Sequence, residues 1–321
     1  MKDSPPKKTK KTNNKKLSGV FKNTNLFYVG LALFILTSSL FIYLLYLFQQ
    51  VNEIYVERKT YPEIKITSIP NFPRDNGAIN ASSEAYVVFD RESRSVLAGK
   101  NQTLRFSPAS TAKIMTAIVS LERFNTEDFM TVPSLLGVEG SKMNLYSGEE
   151  IKVLDLLYGM MLPSGNDAAY TLAYNYPGGF EGFVGEMNRK AKELQLVNTH
   201  FSDPAGLEDS NYTTAIELAR LASYAMQNET FREIVKTRQR VAYDKSFSAA
   251  HNLSNLNELL RYDNVIGVKT GFTNEAGGVL VTAVLHDGRI IIVVVLKSEN
   301  RFYDTEDLMN FIDEKIEYSH L

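Results

Sequence analysis

Hydrophobic and polar positions divide this chain into two textures. From Leu26 to Phe48 every residue is uncharged and most are apolar. At about 1.5 Å per residue, a helix over this stretch crosses a hydrocarbon core of roughly 30 Å. Phe27, Tyr28, Tyr43 and Tyr46 lie near its two ends, where interfacial aromatics are common. Tyr46, Leu47, Phe48, Gln49 and Gln50 close the run without a small-residue cleavage pattern, which favours an uncleaved anchor over a signal peptide. From Val51 to about Ala78, Pro62, Pro70 and Pro73 interrupt a segment with no clear period, read as a semi-extended linker.

The second texture starts near Asn80. Ala85–Phe89 and Ser95–Ala98 are strand-like runs joined by a turn over Arg91–Arg94. Ser107-Pro108 reads as a helix N-cap and first helical residue, followed by apolar positions at Ile114, Met115, Ile118, Val119 and Leu121. Further helices are expected over Ile151–Met161, Ala168–Tyr174 and Ile216–Met226, the last capped by Thr213 or Thr214. Then β-rich runs return at Val265–Lys269, Val279–Leu285 and Ile290–Leu296. His286-Asp287-Gly288-Arg289 joins the last two in an Asp-Gly hairpin. An amphipathic closing helix is expected over Glu306–Tyr318. Strands from both chain ends and helices from the middle predict an α+β fold, an antiparallel sheet flanked by helices with a helical subdomain.

Charge refines this picture. Eight lysines lie between Lys2 and Lys22 against one acid, Asp3. Such a tail is expected to be disordered and to hold the N-terminus in the cytoplasm, with everything after Gln50 outside. The expected organisation is a basic tail over residues 1–25, a transmembrane helix over 26–48, a linker over 49–79 and one folded domain over 80–321. The net charge of −2 gives no reason to expect a nucleic-acid partner. With no cysteine in the chain, thiol catalysis and cysteine-ligated metal are excluded. The histidines His200, His251, His286 and His320 lack the H-E-x-x-H spacing of a zinc hydrolase, and the reading calls for no metal and no cofactor.

Three short strings carry the candidate chemistry: Ser110-Thr111-Ala112-Lys113, Ser164-Gly165-Asn166 and Lys269-Thr270-Gly271. Each is weak alone; Ser4-Pro5-Pro6-Lys7 and Ser298-Glu299-Asn300 match the first two patterns elsewhere. Their order, with the expected helix start, inter-helix turn and sheet strand, gives them weight. A serine hydroxyl needs a nearby base before it attacks. Lys113, three residues from Ser110, lies on the same helical face. A free lysine titrates at about 10.4, and burial or a second cation such as Lys269 lowers it. Ser164 can pass a proton to a leaving amine, and Asn166 can hold a substrate carbonyl. Gly271 lets an extended peptide lie against the strand edge, and the Ser110 and Phe272 amides can form an oxyanion hole.

At this point the chain resembles the D-alanyl-D-alanine carboxypeptidases, the low-molecular-mass serine penicillin-binding proteins. The resemblance covers roughly Ser83–Tyr318. It rests on Pro108–Thr116, on Ser164–Ala169, on Phe201–Leu207 followed by Tyr212–Ala215, and on Gly267–Thr273. It implies the fold of the β-lactamase and penicillin-binding transpeptidase group. It also implies removal of the terminal D-alanine from peptidoglycan stem peptides through an acyl-serine, and covalent capture by β-lactams. By the same analogy Arg301 and Thr270 would bind the substrate's terminal carboxylate; an ion pair of Arg301 with Glu299 or Asp304 is the competing expectation. Many members carry a second, β-rich domain and a C-terminal amphipathic anchor. Here only Lys297–Leu321 follow the last expected strand, so the N-terminal span is expected to do the anchoring. Three alternatives stay open: a D,D-endopeptidase cutting cross-links, a β-lactamase using Glu208, and a non-catalytic sensor or wall-binding module.

Overall fold

The computed structural model describes residues 17–57, 70–71, 79–135 and 137–318. Two compact units divide near Ile66 and Thr67. Within the first, the helix Leu17–Glu57 (α1) is continuous. Its segment Leu26–Gln49 is 24 residues long with a mean hydropathy of 2.3, long and apolar enough to cross a membrane. The apolar side chains of this segment are exposed, and Thr37 satisfies its hydroxyl on the helix's own Leu33 and Phe34 carbonyls, each at 3.0 Å. The helix carries on through Val51–Glu57, where a semi-extended linker was expected; no proline interrupts it before Pro62. The tail up to residue 16, and most of the remaining linker, lie outside the described residues.

The second unit is built on five antiparallel strands. They are Ala85–Asp90 (β1), Ser95–Lys100 (β2), Val265–Thr273 (β3), Gly277–His286 (β4) and Arg289–Ser298 (β5). Their order across the sheet is β3-β4-β5-β1-β2, so the strand carrying Lys269 is an edge. The β4–β5 hairpin turns at Asp287 and Gly288, both with positive φ of 50° and 72°, as a tight two-residue turn demands.

Both faces of the sheet are covered, which is why its central strands read as unbroken apolar runs. Val87, Phe89, Val281, Ala283 and Val294 face a core shared with the helices. Those helices are Lys113–Arg123 (α2), Val153–Met161 (α3), Asn166–Tyr174 (α4), Gly179–Glu193 (α5), Ala215–Ala225 (α6) and Glu229–Lys236 (α7). Val88, Leu280, Ile291, Val293 and Val295 face a second core under Arg301–Lys315 (α8). Fully burying one such side chain stabilises by about 1.5–3 kcal/mol, so the sheet is held from both sides.

The α+β expectation holds, with local differences. Helix α3 starts at Val153, because Glu150–Lys152 pairs with Phe129–Thr131 as a short strand. Thr214 caps α6, its side chain accepting from the Glu217 amide. Helix α8 starts at Arg301 rather than Glu306, since the Asn300 side chain caps it by accepting from the Tyr303 amide at 3.2 Å. It stops at Lys315, and Tyr318 instead pairs with Pro70 in a two-stranded ladder. Helices α5 and α7 had no sequence expectation; Asn228 caps α7.

Asp304 on α8 is fully buried and joins two chain segments: it accepts from the Ser82 amide and hydroxyl, each at 2.8 Å, and from the Ser298 hydroxyl at 2.5 Å. Asp304→Ala leaves three donors without their acceptor, and urea unfolding should show a loss of about 2–4 kcal/mol.

Candidate active site

The nucleophile segment is a turn before a helix, not a helix start. Ala109–Ala112 is one 3-10 turn and α2 begins at Lys113, so Ser110 lies just ahead of the α-helix. Ser107 does not cap it: Pro108 already has helical dihedrals and no side-chain cap bond exists. Its carbonyl instead accepts from the Thr111 amide at 3.1 Å and the Thr111 hydroxyl at 2.6 Å. Ala109 is held at φ 45°, a left-handed conformation that costs a non-glycine residue roughly 1–3 kcal/mol. Ser164, which opens the second motif, is likewise left-handed at φ 65°. Both motif serines therefore adjoin or occupy strained backbone held by its surroundings.

Lys113 is completely buried. Its Nζ lies 2.9 Å from Ser110 Oγ, 2.7 Å from Asn166 Oδ1 and 2.9 Å from the Ala205 carbonyl oxygen. Asn166 is the first residue of α4, and its Nδ2 donates to the Glu139 carbonyl at 2.6 Å, which turns Oδ1 toward the lysine. Burial lowers the Lys113 ammonium to about 7, while Asp203 and Asp167 pull against that shift.

Lys269 is also buried, at 1% exposure, and its Nζ donates to the Thr270 carbonyl at 3.1 Å. In the β3–β4 register it stands opposite Val281, a residue of the helical-side core, so its side chain faces the nucleophile's side of the sheet. Burial holds Lys269 well below the ordinary lysine value, and repulsion from Lys113 and Arg301 adds to this. Burial is thus the leading cause of the lowered Lys113 value, and the repulsion between the two amines places Lys269 as the nearby second cation.

The remaining candidates fall around these two amines. A Cβ on Gly271 would stand 3.1 Å from Ala109 Cβ and 3.2 Å from the Ser110 amide nitrogen. The glycine therefore lets the nucleophile turn itself approach the strand, where space for a substrate backbone was expected. Thr270 is buried and Phe272 is 62% exposed. Arg301 Nη1 donates to the Gly271 carbonyl at 3.1 Å. Among the described residues Arg301 forms no ion pair with Glu299 or Asp304, and its buried Nε has no hydrogen-bond partner. Ser164 Oγ is buried, again without a partner. The geometry thus brings Ser110, Lys113 and Asn166 into direct contact and sets Gly271 against the same turn, with Arg301 bonded to the Gly271 carbonyl. Ser164 is adjacent in chain to Gly165 and Asn166 but has no hydrogen bond to the rest.

The resemblance marks the stretches Ser164–Ala169 and Phe201–Leu207, but sequence reasoning gave no role to the groups behind the lysine: the Ala205 and Glu139 carbonyls, and the buried Asp167 and Asp203. The signal was present in Asp203-Pro204-Ala205-Gly206, a turn-forming run with a side chain suited to collecting backbone amides. Glu208, the candidate deacylating glutamate, is exposed. No group of His, Cys, Asp or Glu suited to a metal ion occurs among the described residues.

Known proteins resemble this chain over most of its folded unit. A D-alanyl-D-alanine carboxypeptidase of Streptomyces K15 is 38% identical over 229 residues, covering 64% of this chain and 79% of its own. A D-alanyl-D-alanine endopeptidase of Escherichia coli is 33% identical over 244 residues, covering 73% and 77%. The crystal structure of the Streptomyces K15 DD-transpeptidase superposes with a TM-score of 0.68 at 35% identity, over 72% of this chain and 97% of that one. The model of the peptidase S11 family, D-alanyl-D-alanine carboxypeptidase, matches residues 72–300, and the chain belongs to that family.

Proposed function

We propose that this protein is a membrane-anchored serine D,D-carboxypeptidase that removes the terminal D-alanine from peptidoglycan stem pentapeptides. One observation carries the chemistry: a buried lysine amine in contact with a serine hydroxyl and two further acceptors. Neutral Lys113 has two N–H bonds and one lone pair. The Asn166 oxygen and the Ala205 carbonyl can only accept, so they take the two N–H bonds. The lone pair is then left for Ser110, whose hydroxyl donates into it.

In the first step Ser110 Oγ attacks the carbonyl carbon of the penultimate D-alanine and its proton passes to Lys113. The Ser110 and Phe272 amides stabilise the resulting oxyanion, where one such donor is worth about 10²–10³ in rate. The tetrahedral intermediate collapses, the C–N bond breaks, and the departing amine takes up through Ser164 the proton that Lys113 received from Ser110, which returns Lys113 to its neutral form. The partnerless Ser164 hydroxyl supports this relay role, because substrate would supply its missing hydrogen bond. Lys269 biases that proton transfer by its position near Lys113. Water then cleaves the acyl-serine ester. Arg301, tethered to Gly271 and in no salt bridge among the described residues, is suited with Thr270 to the terminal carboxylate. Asn166 keeps one N–H for a substrate carbonyl, and edge strand β3 offers main-chain pairing to an extended peptide. A β-lactam would be captured at Ser110 by the same attack.

The apolar segment Leu26–Gln49 would anchor the protein, with the lysine-rich tail cytoplasmic and the catalytic domain outside. The folded unit, read as the D,D-peptidase domain over 80–321, is thereby held near its polymeric substrate. The endopeptidase similarity supports a second reading, cleavage of the cross-link between two stem peptides.

Fluorescent penicillin should label the wild-type protein and not Ser110→Ala, whose acylation rate should fall on the order of 10⁶-fold; persistent labelling would refute Ser110 as nucleophile. Acylation of the wild type should rise about tenfold per pH unit below about 7 and level above it, since only the neutral amine accepts the proton. Lys113→Arg should abolish that limb together with most of the rate. Mass spectrometry of products from free pentapeptide and from cross-linked dimer should show the pentapeptide turned over at least about tenfold faster; the reverse ratio would establish the endopeptidase reading instead.

A further inference from the structure

Two carboxylates that touch no reacting atom lie behind Lys113. Asp203 is fully buried and Asp167 is 2% exposed. Asp203 gathers the amides that follow it: Gly206 N at 2.5 Å, Leu207 N at 2.8 Å and Glu208 N at 3.2 Å, with Asn211 Nδ2 at 3.3 Å. This closes the loop around Ala205, the residue whose carbonyl meets Lys113 Nζ. The neighbouring Pro204 carbonyl accepts from the Thr116 hydroxyl of α2 at 2.6 Å, a second tie to the lysine's own helix. Gly206 has φ +79°, and a Cβ there would lie 1.9 Å from the Ala109 carbonyl, so the loop is packed directly on the nucleophile turn.

Asp167 does the same work from the other side. It accepts from Met143 N at 2.9 Å, Asn144 N at 2.9 Å, Leu145 N at 3.1 Å and Ala168 N at 2.9 Å. The loop so gathered presents the Glu139 carbonyl to Asn166 Nδ2 at 2.6 Å and the Ser141 carbonyl to Asn166 N at 2.7 Å. Asn166 is thereby locked with Oδ1 toward the lysine.

We propose that Asp203 and Asp167 are paired positioning residues: each ties down a loop that fixes one of the two acceptors of the Lys113 N–H bonds, and together they aim the lone pair at Ser110. The proposal rests on the reading of Lys113 as the base. A base that must turn its lone pair toward one atom gains from having its other two directions fixed beforehand, because little reorganisation remains at the moment of attack. The two acids also lie in the lysine's field and favour its charged form, against the burial that disfavours it. The charges acting around this amine are Asp203 from the loop, Asp167 from α4 and Lys269 from β3, with Arg301 behind Lys269. Tyr170 of α4 is pushed up to about 12 by burial, Asp203 and Glu208, so it stays neutral. Removing either aspartate charge should therefore ease deprotonation of Lys113 while loosening its aim.

The test is the pH dependence of the second-order rate of fluorescent-penicillin acylation, measured on the full chain in detergent. Asp203→Asn and Asp167→Asn keep the side-chain shape and remove the charge. In each, the acid limb should move down by about one pH unit, with a plateau lowered by about 10–100-fold. Asp203→Glu should bring the limb back toward the wild-type position. A limb that stays at the wild-type pH in both asparagine variants, with only the plateau reduced, would overturn the proposal and leave a purely structural role. Should Asp203→Asn fail to fold, Asp167→Asn decides alone, since the same shift is required of it. A wild-type protein with no acid limb, or a Lys113→Arg protein that retains one, would instead remove the base assignment and this inference with it.

Discussion

The burial of one amine sets the terms for the rest of the catalytic unit. An ammonium inside protein loses its hydration, and the cost is relieved either by partners or by loss of the proton. Lys113 has both remedies: three oxygens within hydrogen-bond distance, and a titration point lowered to about 7. Without burial the amine would stay charged at neutral pH and could not accept a proton. Without the three oxygens it would be an unsatisfied polar group in the core. The sheet, α2, α4 and the loop around Ala205 together exclude water from a group the sequence cannot leave exposed.

The architecture explains how segments far apart in sequence serve one centre. Strand β3 is an edge, and the nucleophile turn packs against it where Gly271 leaves room. The central strands β4, β5 and β1 are covered on both faces and supply the rigid base beneath. Asp304 and Asn300 then secure the start of α8, which carries Arg301 to the same region. Stiff elements thus hold the candidate groups, while amide-gathering aspartates fix the loops between them.

Much of this was legible in the chain. The five sheet strands follow from β-branched runs and an Asp-Gly turn, because strand pairing leaves a period and a turn chemistry that sequence displays. The three motifs singled out Ser110, Lys113, Asn166 and Lys269 as candidates, and the fold brings the first three into contact. What escaped was local and tertiary. Ser107-Pro108 looked like a helix cap, yet Pro108 is drawn into a 3-10 turn whose left-handed Ala109 no propensity would select. The start of α8 escaped because Asn300 belongs to a Ser-x-Asn string that resembles motif two rather than a cap. The Ala205 carbonyl could not be found by side-chain chemistry at all, since a backbone oxygen has no letter in the sequence.

Ser164 shows what such a design costs in stability. Its buried hydroxyl has no hydrogen-bond partner among the described residues, and its backbone is bent into an unfavourable dihedral. Judged by folding alone, an alanine would be the better tenant, and a search for heat-resistant variants would be drawn to this position. On the proposed relay role, improvement in the unfolding curve would come with lost turnover, so thermal tolerance and activity would be opposed at this one side chain.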